Sequence, residues 1–270
     1  MQLRKIYLLT SNKYTKSLCP INVHFLNKYW PNQDITIVGY EDVLELKELP
    51  DNVNVTCVGT QEDFGKTWTN ALIPFFKEVK EEYFTLIFDD HILMNQVSLN
   101  KIAELEEQFI NKKAQKAMIG GGINLNLTKT FEGNENLLEF AQHVDYRASL
   151  HPAIWNKDYF LKYLRPNMTS WDFELVNDNR VRFDGATILN YKYDYPNEPH
   201  LYSYLELYTK GRNNIVKLVP HMSEEIISQL GDSLKEKKST KTADGLVIAQ
   251  QSSARFFEAE DIKYIWERTK

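Results

Sequence analysis

The chain contains 270 residues, of which 43% are hydrophobic and 26% are charged, so we expect it to fold around a substantial core. Its formal net charge of −5 argues against a general nucleic-acid binder, which would neutralise phosphates through a basic surface. Its cysteines, Cys19 and Cys57, belong to no CxxC or Cys/His spacing, which excludes a zinc module.

The first third of the chain alternates between strand-like and helix-like segments. Apolar runs predict strands at Ile6–Leu9, Ile35–Val38, Val53–Val58 and Phe84–Phe88. Helical spacing predicts helices over Ser17–Tyr29 and Trp68–Val79, the second with a kink or a break at Pro74. The order β-α-β-β-α-β is typical of a mostly parallel sheet with helices on its faces.

The termini and the apolar runs bear on location. The amino terminus has too short an apolar run for a signal peptide, and no segment approaches the roughly 18 apolar residues of a membrane span. We therefore expect a cytoplasmic protein with no membrane span. Ser98–Lys113 predicts an amphipathic helix, and we interpret residues 223–270 as a helical appendage for oligomer contact or lid packing.

An acidic cluster ends the strand Phe84–Phe88. Asp89, Asp90 and His91 follow it directly, and the chain then turns apolar again. Two adjacent carboxylates repel each other and must stay hydrated, paired or bound to a cation. At the carboxyl end of a strand in an α/β sheet, such a cluster lies where ligands usually bind. We predict a divalent-metal site for a nucleotide diphosphate, with a solvated turn in which Asp90 caps a helix as the alternative.

The ligand types at this cluster indicate which cation would bind. Carboxylate oxygens from Asp89 and Asp90 suit Mg²⁺ or Mn²⁺, which keep open positions for water and diphosphate oxygens. Imidazole is a poor ligand for Mg²⁺ but a good one for Mn²⁺, so a ligating His91 would favour manganese.

A second candidate site is the segment Ser170–Glu174. Asp172 and Glu174 flank one aromatic residue, an arrangement that suits a general base at the rim of a pocket. If the segment is helical, Ser170 is instead a cap and both acids lie in the first turn, where the helix dipole favours negative charge. The residues by themselves leave both interpretations open.

A third candidate is the run from Asp145 to Trp155, which mixes a strand-like core with polar residues able to hydrogen-bond a sugar or a phosphate. His151 is a candidate metal or phosphate contact, although a single histidine is more often structural. Lys66 and Arg147 are candidate diphosphate contacts, with a solvated surface position as the alternative, above all for Lys66.

Other hydrolytic sites have no support in the sequence. It contains no HExxH motif, no GxSxG elbow and no Ser-His-Asp order, which argues against zincins and serine hydrolases. A glycoside hydrolase would also use two carboxylates, but a β-α-β start with an acidic strand end fits nucleotide binding better.

In order along the chain, these segments resemble the GT-A glycosyltransferases, in particular bacterial and viral proteins found in surface-polysaccharide gene clusters. The resemblance covers roughly residues 5–215 and includes the opening strand with Tyr14. The further segments that carry it are Lys28–Pro31, Lys66–Leu72, Phe88–His91, Tyr146–Trp155 and Ser170–Glu174.

The resemblance implies an α/β fold, a single Rossmann-like GT-A domain over residues 1–222 with the appendage at 223–270. Residues 1–95 would form the nucleotide-sugar-binding half and residues 96–222 the acceptor half. It also implies a DxD-type metal motif, whose outer positions match Asp89 and His91 with Asp90 between them. The third position departs from the pattern because it is histidine.

The resemblance further implies roles for single side chains. Asp172 matches the catalytic acid near the acceptor, which takes the acceptor proton, with Glu174 as the alternative and inversion as the default. Donor contacts are expected from Thr10, Ser11, Asn12, Lys66, Asn70, Asp89 and Asp90. Acceptor contacts are expected from Arg147, His151, Trp155 and Trp171.

The resulting hypothesis is a metal-assisted glycosyltransferase that moves a sugar from a UDP- or GDP-sugar to a hydroxyl of a glycan or lipid-linked saccharide. One alternative is a catalytically silent GT-A-like binding module. Another is a sugar-1-phosphate nucleotidyltransferase, which is disfavoured because no Gly-rich basic loop follows the first strand. The carboxyl-terminal helices make a homo-oligomer plausible.

Overall fold

The computed structural model describes residues 5–64, 67–120, 127–192, 200–206, 208–209, 212–213, 264–265 and 267–268. Lys66 and nearly all of the predicted appendage at 223–270 lie outside the described residues, so those predictions stay open. Tyr264 is described: its ring stacks on His24 at 4.8 Å, and its hydroxyl donates to the carbonyl of Pro20 at 3.2 Å.

The first half of the chain folds in the predicted order. Its elements are β1 (Lys5–Leu9), α1 (Asn12–Tyr29), β2 (Asp34–Gly39), a 3₁₀ helix (Glu41–Glu45), β3 (Val53–Cys57), α2 (Gln61–Phe64), α3 (Thr69–Glu78), β4 (Tyr83–Phe88) and β5 (His91–Leu93). Helix α1 begins before the predicted Ser17, and α3 runs through Pro74 without a break.

The second half adds further strands and helices. Its elements are α4 (Leu99–Ile110), β6 (Lys116–Met118), β7 (Thr128–Phe131), β8 (Asn134–Phe140), β9 (Ala153–Asn156), α5 (Lys157–Tyr163), α6 (Ser170–Val181), β10 (Ile188–Tyr191), β11 (Tyr204–Glu206), β12 (Tyr208–Thr209) and β13 (Arg212–Asn213). No helix among the described residues has the length and apolar character needed to cross a bilayer.

The described strands form one large sheet of nine, in the order β3-β2-β1-β4-β9-β6-β10-β8-β7. Strands β3, β2, β1 and β4 are mutually parallel, and β6 is parallel to β10. Strand β9 runs antiparallel between β4 and β6, and β8 runs antiparallel between β10 and β7. Within this nine-stranded sheet, all strands except β8 and β9 therefore point the same way, and the predicted α/β class with a mostly parallel sheet is confirmed.

The core lies on both faces of this sheet. Ile6 and Leu8 of β1 pack with α1 and α4 on one face, while Tyr7 and Leu9 pack with α3, α5 and α6 on the other. A strand that is buried on both faces needs apolar residues at every position, which is why β1 is a continuous apolar run rather than an alternating one. The small hairpin of β5 and β11 lies beside the sheet.

A buried cation ties several loops to this core. The side chain of Arg147 is fully buried and lies 3.5 Å from the carboxylate of Asp184. Its guanidinium donates at 2.7 to 3.2 Å to the carbonyls of Phe140, Ala141, Val181 and Ala186. Arg147 thus holds the turn after β8 against the end of α6 and the segment before β10.

We expect Arg147→Met to lower the free energy of unfolding by about 3 to 5 kcal/mol, because the buried carbonyls and Asp184 lose their charged partner. Urea unfolding near neutral pH measures this loss. The matched control is Arg180→Met, since Arg180 is exposed on α6 and its replacement should change stability by less than about 0.5 kcal/mol. Equal, small losses in both variants would contradict this role for Arg147.

Candidate functional site

The carboxyl ends of β1, β2 and β4 meet at one edge of the sheet and border a cavity of about 740 Å³. This is the edge where open parallel sheets place their ligands. The cavity contains most of the predicted donor residues and one predicted acceptor residue. These are Thr10, Ser11, Asn12, Asp89, Asp90 and Trp171.

Asp89 is held almost out of water at this edge. Its side chain accepts a 2.5 Å hydrogen bond from the Thr10 hydroxyl, and its backbone N–H donates to the carbonyl of Leu9 at 3.1 Å. Burial, and then the charge of Asp90, raise the pKa of the Asp89 carboxyl to about 8. Burial likewise raises the pKa of Asp90 to about 6.

Asn22 of α1 fixes the turn that carries these acids. Its side-chain amide lies within 3.1 to 3.2 Å of the carbonyls of Phe88, Asp89 and His91, to which it donates. A single buried side chain thereby contacts three backbone carbonyls around the turn between β4 and β5. The acidic pair is consequently presented on a rigid base rather than on a loose loop.

His91 faces an aromatic cluster beside the acidic pair. Its ring lies 4.5 Å from the ring of Tyr204 and 6.1 Å from that of His151, measured between centroids. His151 is also hydrogen-bonded to the hydroxyl of Tyr204. The nearest distance from the His91 imidazole to Asp90 is 3.9 Å, from Nε2 to Oδ1. The structure thus brings the predicted residues His91 and His151 together next to Asp90.

The chemistry of the acidic pair suits a divalent cation, although the pair alone offers few ligands. Within the part of the chain that the structure describes, no group of three His, Cys, Asp or Glu side chains is arranged to hold a metal ion. Asp89 and Asp90 nevertheless fit a hard divalent cation, because a buried and a half-buried carboxylate with raised pKa values gain from a nearby positive charge. Mg²⁺ and Mn²⁺ commonly take their remaining ligands from water and phosphate. A ligand role for His91 stays a prediction.

The amino-terminal end of α1 forms another part of the wall. Ser11 is its N-cap residue, and the first turn carries Lys13 but no acid. The side-chain oxygen of Asn12 accepts a hydrogen bond from the backbone of Asp42 at 3.3 Å. Helix N-termini favour anions such as phosphate.

The start of α6 forms the opposite rim and is docked on α3. The hydroxyl of Thr69 accepts a hydrogen bond from the backbone N–H of Met168 at 2.9 Å. Asn70 exchanges hydrogen bonds of 2.8 and 2.9 Å with Asn167. These bonds place Trp171, which is 62% exposed, at the cavity. Asn70, a predicted donor contact, therefore acts on the rim by holding this loop.

The two predicted catalytic acids are engaged with backbone groups. Asp172 forms a capping box with Thr169, the N-cap of α6, and these hydrogen bonds lower the pKa of its carboxyl. Glu174 accepts a 2.6 Å hydrogen bond from the backbone N–H of Leu150. The predicted cap at Ser170 is displaced by one residue. The capping alternative for this segment thus describes the observed hydrogen bonds of Asp172.

Two predicted acceptor contacts lie in the interior. The guanidinium of Arg147 donates its hydrogen bonds mainly to backbone carbonyls. Trp155 is 1% exposed and packs against Phe160 and Phe173. The ammonium of buried Lys116 lies 4.2 Å from the Trp155 ring centroid. This arrangement does not support direct acceptor contact by Arg147 or Trp155.

Sequence patterns did not predict every residue at the cavity or beside it. Gly39 is the last residue of β2 and Tyr40 follows it, so the same strand-end rule that found Asp89 would have found them. A Cβ on Gly39 would lie 2.7 Å from side-chain atoms of Thr10 and Val43, so only glycine lets these strand ends approach. Tyr204 had no comparable signal, because its contact with His91 depends on the pairing of β11 with β5.

The chain matches no protein-family model and no curated protein sequence. A cytidylyltransferase from Leptospira borgpetersenii serovar Hardjo-bovis is structurally similar, with a TM-score of 0.47 and 10% identity over 90% of this chain and 100% of that one. An active-site variant of LgtC has a TM-score of 0.44 and 12% identity over 89% and 98% of the two chains. A UDP-glucose pyrophosphorylase complexed with UDP-glucose has a TM-score of 0.45 and 11% identity, over 71% of this chain and 90% of that one. These values are too low to carry an argument about function.

The raised pKa of Asp89 predicts how stability depends on pH. Because the folded chain holds this proton up to about pH 8 and the unfolded chain only to about 3.8, stability falls as pH rises between those values. Asp89→Asn removes the titration and keeps an acceptor for Thr10. In EDTA, we expect the variant to exceed the wild type in Tm by roughly 10 °C or more above pH 8, with no difference near pH 4.

Calorimetric scans across this pH range measure the effect. Asp51→Asn, at an exposed turn, is the control and should track the wild type at every pH. A difference between Asp89→Asn and the wild type that does not change with pH would contradict the assigned burial of an ionisable Asp89.

Proposed function

We propose that the protein is a nucleotide-sugar-dependent glycosyltransferase whose donor binds in the cavity at the ends of β1, β2 and β4. One observation carries the proposal: an acidic strand end, a helix N-terminus and an exposed indole converge on the same cavity of about 740 Å³. A nucleotide sugar needs each of these: a cation for its diphosphate, N–H donors for its phosphates, and a flat surface for a ring.

In this proposal the diphosphate lies between α1 and the acidic pair. The N-terminus of α1 and the ammonium of Lys13 supply positive charge from one side. Asp89 and Asp90 would hold Mn²⁺ or Mg²⁺ on the other side, and a bound cation would offset the charge of the departing diphosphate. The apolar lining of Val38, Tyr40 and Val58 offers space for the base or the ribose.

The acceptor would approach across the rim at Trp171, whose exposed ring can stack on a sugar face. A hydroxyl oxygen of the acceptor attacks the anomeric carbon of the donor sugar as the bond from that carbon to the diphosphate breaks. A carboxylate takes the proton of the acceptor hydroxyl. Asp172, next to the rim residue, remains our candidate for this base. Like any aspartate of ordinary pKa it is ionised at neutral pH, and its hydrogen bonds with Thr169 lower its pKa and make it a weaker base.

Nucleotide binding is the first prediction of this proposal. In calorimetric titrations with UDP, GDP and CMP, we expect one nucleotide to bind about tenfold more tightly with Mn²⁺ than without it. Asp90→Asn should abolish the metal-dependent gain, because one of the two carboxylates is lost. Asp51→Asn serves as the control that keeps the gain.

Each other outcome has a definite meaning. Equal binding with and without Mn²⁺ would remove the cation from the proposal and leave Asp89 and Asp90 as polar neighbours of the nucleotide. Failure of all three nucleotides to bind would overturn the transferase proposal and favour a catalytically silent binding module. Binding of a nucleoside triphosphate with a sugar 1-phosphate, followed by release of pyrophosphate, would establish the nucleotidyltransferase alternative.

The role of Asp172 is separable from its role as a cap. Thr169→Ala removes the hydroxyl half of the capping box but keeps the carboxylate, whereas Asp172→Asn removes the charge but keeps a side-chain oxygen acceptor. We expect similar losses of Tm in both variants but a fall in turnover of about 100-fold or more only in Asp172→Asn. Equal turnover in the two variants would reduce Asp172 to a helix cap.

A further inference from the structure

Two exposed aromatic rings lie at the end of α6 that is remote from the cavity. Tyr146 is 71% exposed and Phe183 is 74% exposed. Both residues have positive φ angles, 64° for Tyr146 and 55° for Phe183. This left-handed conformation is strained for a residue with a Cβ, so it persists only where the surrounding structure holds it.

The contacts that hold the two turns together are on the neighbouring residues. Asp145 and Arg182, each adjacent to one of the rings, form an ion pair. The backbone N–H of Phe183 donates to the carbonyl of Gln142 at 3.1 Å. Arg147, adjacent to Tyr146, donates to the last residue of α6 from the interior. Both rings therefore project from a fixed base.

Helix α6 links this ring pair to the cavity. It has 12 residues, so its ends lie about 18 Å apart at 1.5 Å per residue. Trp171 lies at the cavity end, and Leu175 follows one turn later and is 63% exposed. Apolar surface thus begins at the cavity rim, and aromatic surface recurs at the far end, a distance that several linked sugar rings would span.

We propose that Tyr146 and Phe183 form a distal subsite for the saccharide chain of the acceptor, whose reacting end lies at Trp171. This inference rests on the proposed function. Aromatic rings offer flat apolar faces to the C–H face of a pyranose, and rigid rings lose little conformational entropy on binding. The ion pair of Asp145 and Arg182 places charged groups beside the rings, where sugar hydroxyls need polar partners.

The charge of this region favours a saccharide over an anionic bilayer. Asp145 and Arg182 beside the rings form an ion pair, and Arg180 is a further exposed cation near this end of α6, so the cations here form no cluster of lysine and arginine. Binding to an anionic membrane surface relies on unpaired clusters of lysine and arginine. The subsite therefore commits to a neutral or weakly charged glycan as its occupant.

The test uses variants that keep the backbone. Asn tolerates positive φ, so the double variant Tyr146→Asn, Phe183→Asn removes both rings without demanding a new turn. The matched control is Ile110→Asn, since Ile110 is 65% exposed at the end of α4. The probe is an array of immobilised microbial-type oligosaccharides, graded in length from monosaccharides to hexasaccharides and read with the labelled full-length protein.

We expect binding to rise with saccharide length in the wild type and in the control. The double variant should lose about tenfold in apparent affinity for the longest glycans, while UDP, GDP or CMP binds it as it binds the wild type. Unchanged glycan binding by the double variant, or no length-dependent binding by the wild type, would overturn the subsite. So would ring-dependent binding to phosphatidylglycerol vesicles or ring-dependent self-association. If the wild type bound none of UDP, GDP and CMP, the proposed function itself would be overturned.

Discussion

The cavity is organised around two neighbouring carboxylates at the end of β4, of which Asp89 is buried and Asp90 is partly exposed. Removing either carboxylate from water raises the free energy of its charged form, and the repulsion between the two charges raises it further. Hydrogen bonds fix the turn that carries them. The Asn22 amide donates to the backbone carbonyl of Asp89, and the Thr10 hydroxyl donates to the Asp89 carboxylate. Below about pH 8 a proton on Asp89 relieves the repulsion between the two acids, and above it a bound cation would do the same.

The two walls of the cavity have different origins. One wall is the edge of the parallel sheet, where β1, β2 and β4 are aligned by continuous backbone pairing. The other wall is the start of α6, which reaches the cavity through side-chain bonds of Thr69 and Asn70 to the preceding loop. The first is rigid by secondary structure, and the second depends on a few specific contacts. In the proposed function, donor binding would therefore depend on the more rigid wall and acceptor choice on the more adjustable one.

Sequence patterns predicted the first wall better than the second. Strands β1, β2 and β4 are apolar runs bounded by polar residues, so their ends, and with them Thr10, Asp89 and Asp90, could be placed at one edge. No local pattern distinguishes a buried, carbonyl-bonded Arg147 from a substrate-binding one, since its partners lie in remote segments. Trp155 poses the same problem, because an indole suits a core and a sugar face equally well. Asp172 was open between cap and base on the sequence, and its bonds to Thr169 now account for the cap.

The docking of α6 on α3 has a consequence for how the site is made. The bonds between Thr69 and Met168 and between Asn70 and Asn167 close loops of 99 and 97 residues. Such distant contacts form late, after the entropy of closing a long loop has been overcome by nearer pairings. During synthesis, β1, α1, β2 and β4 leave the ribosome well before Trp171 does. The nascent chain would therefore display its acidic strand end as an open edge, and the cavity would come into being only when the later half of the chain folds against it.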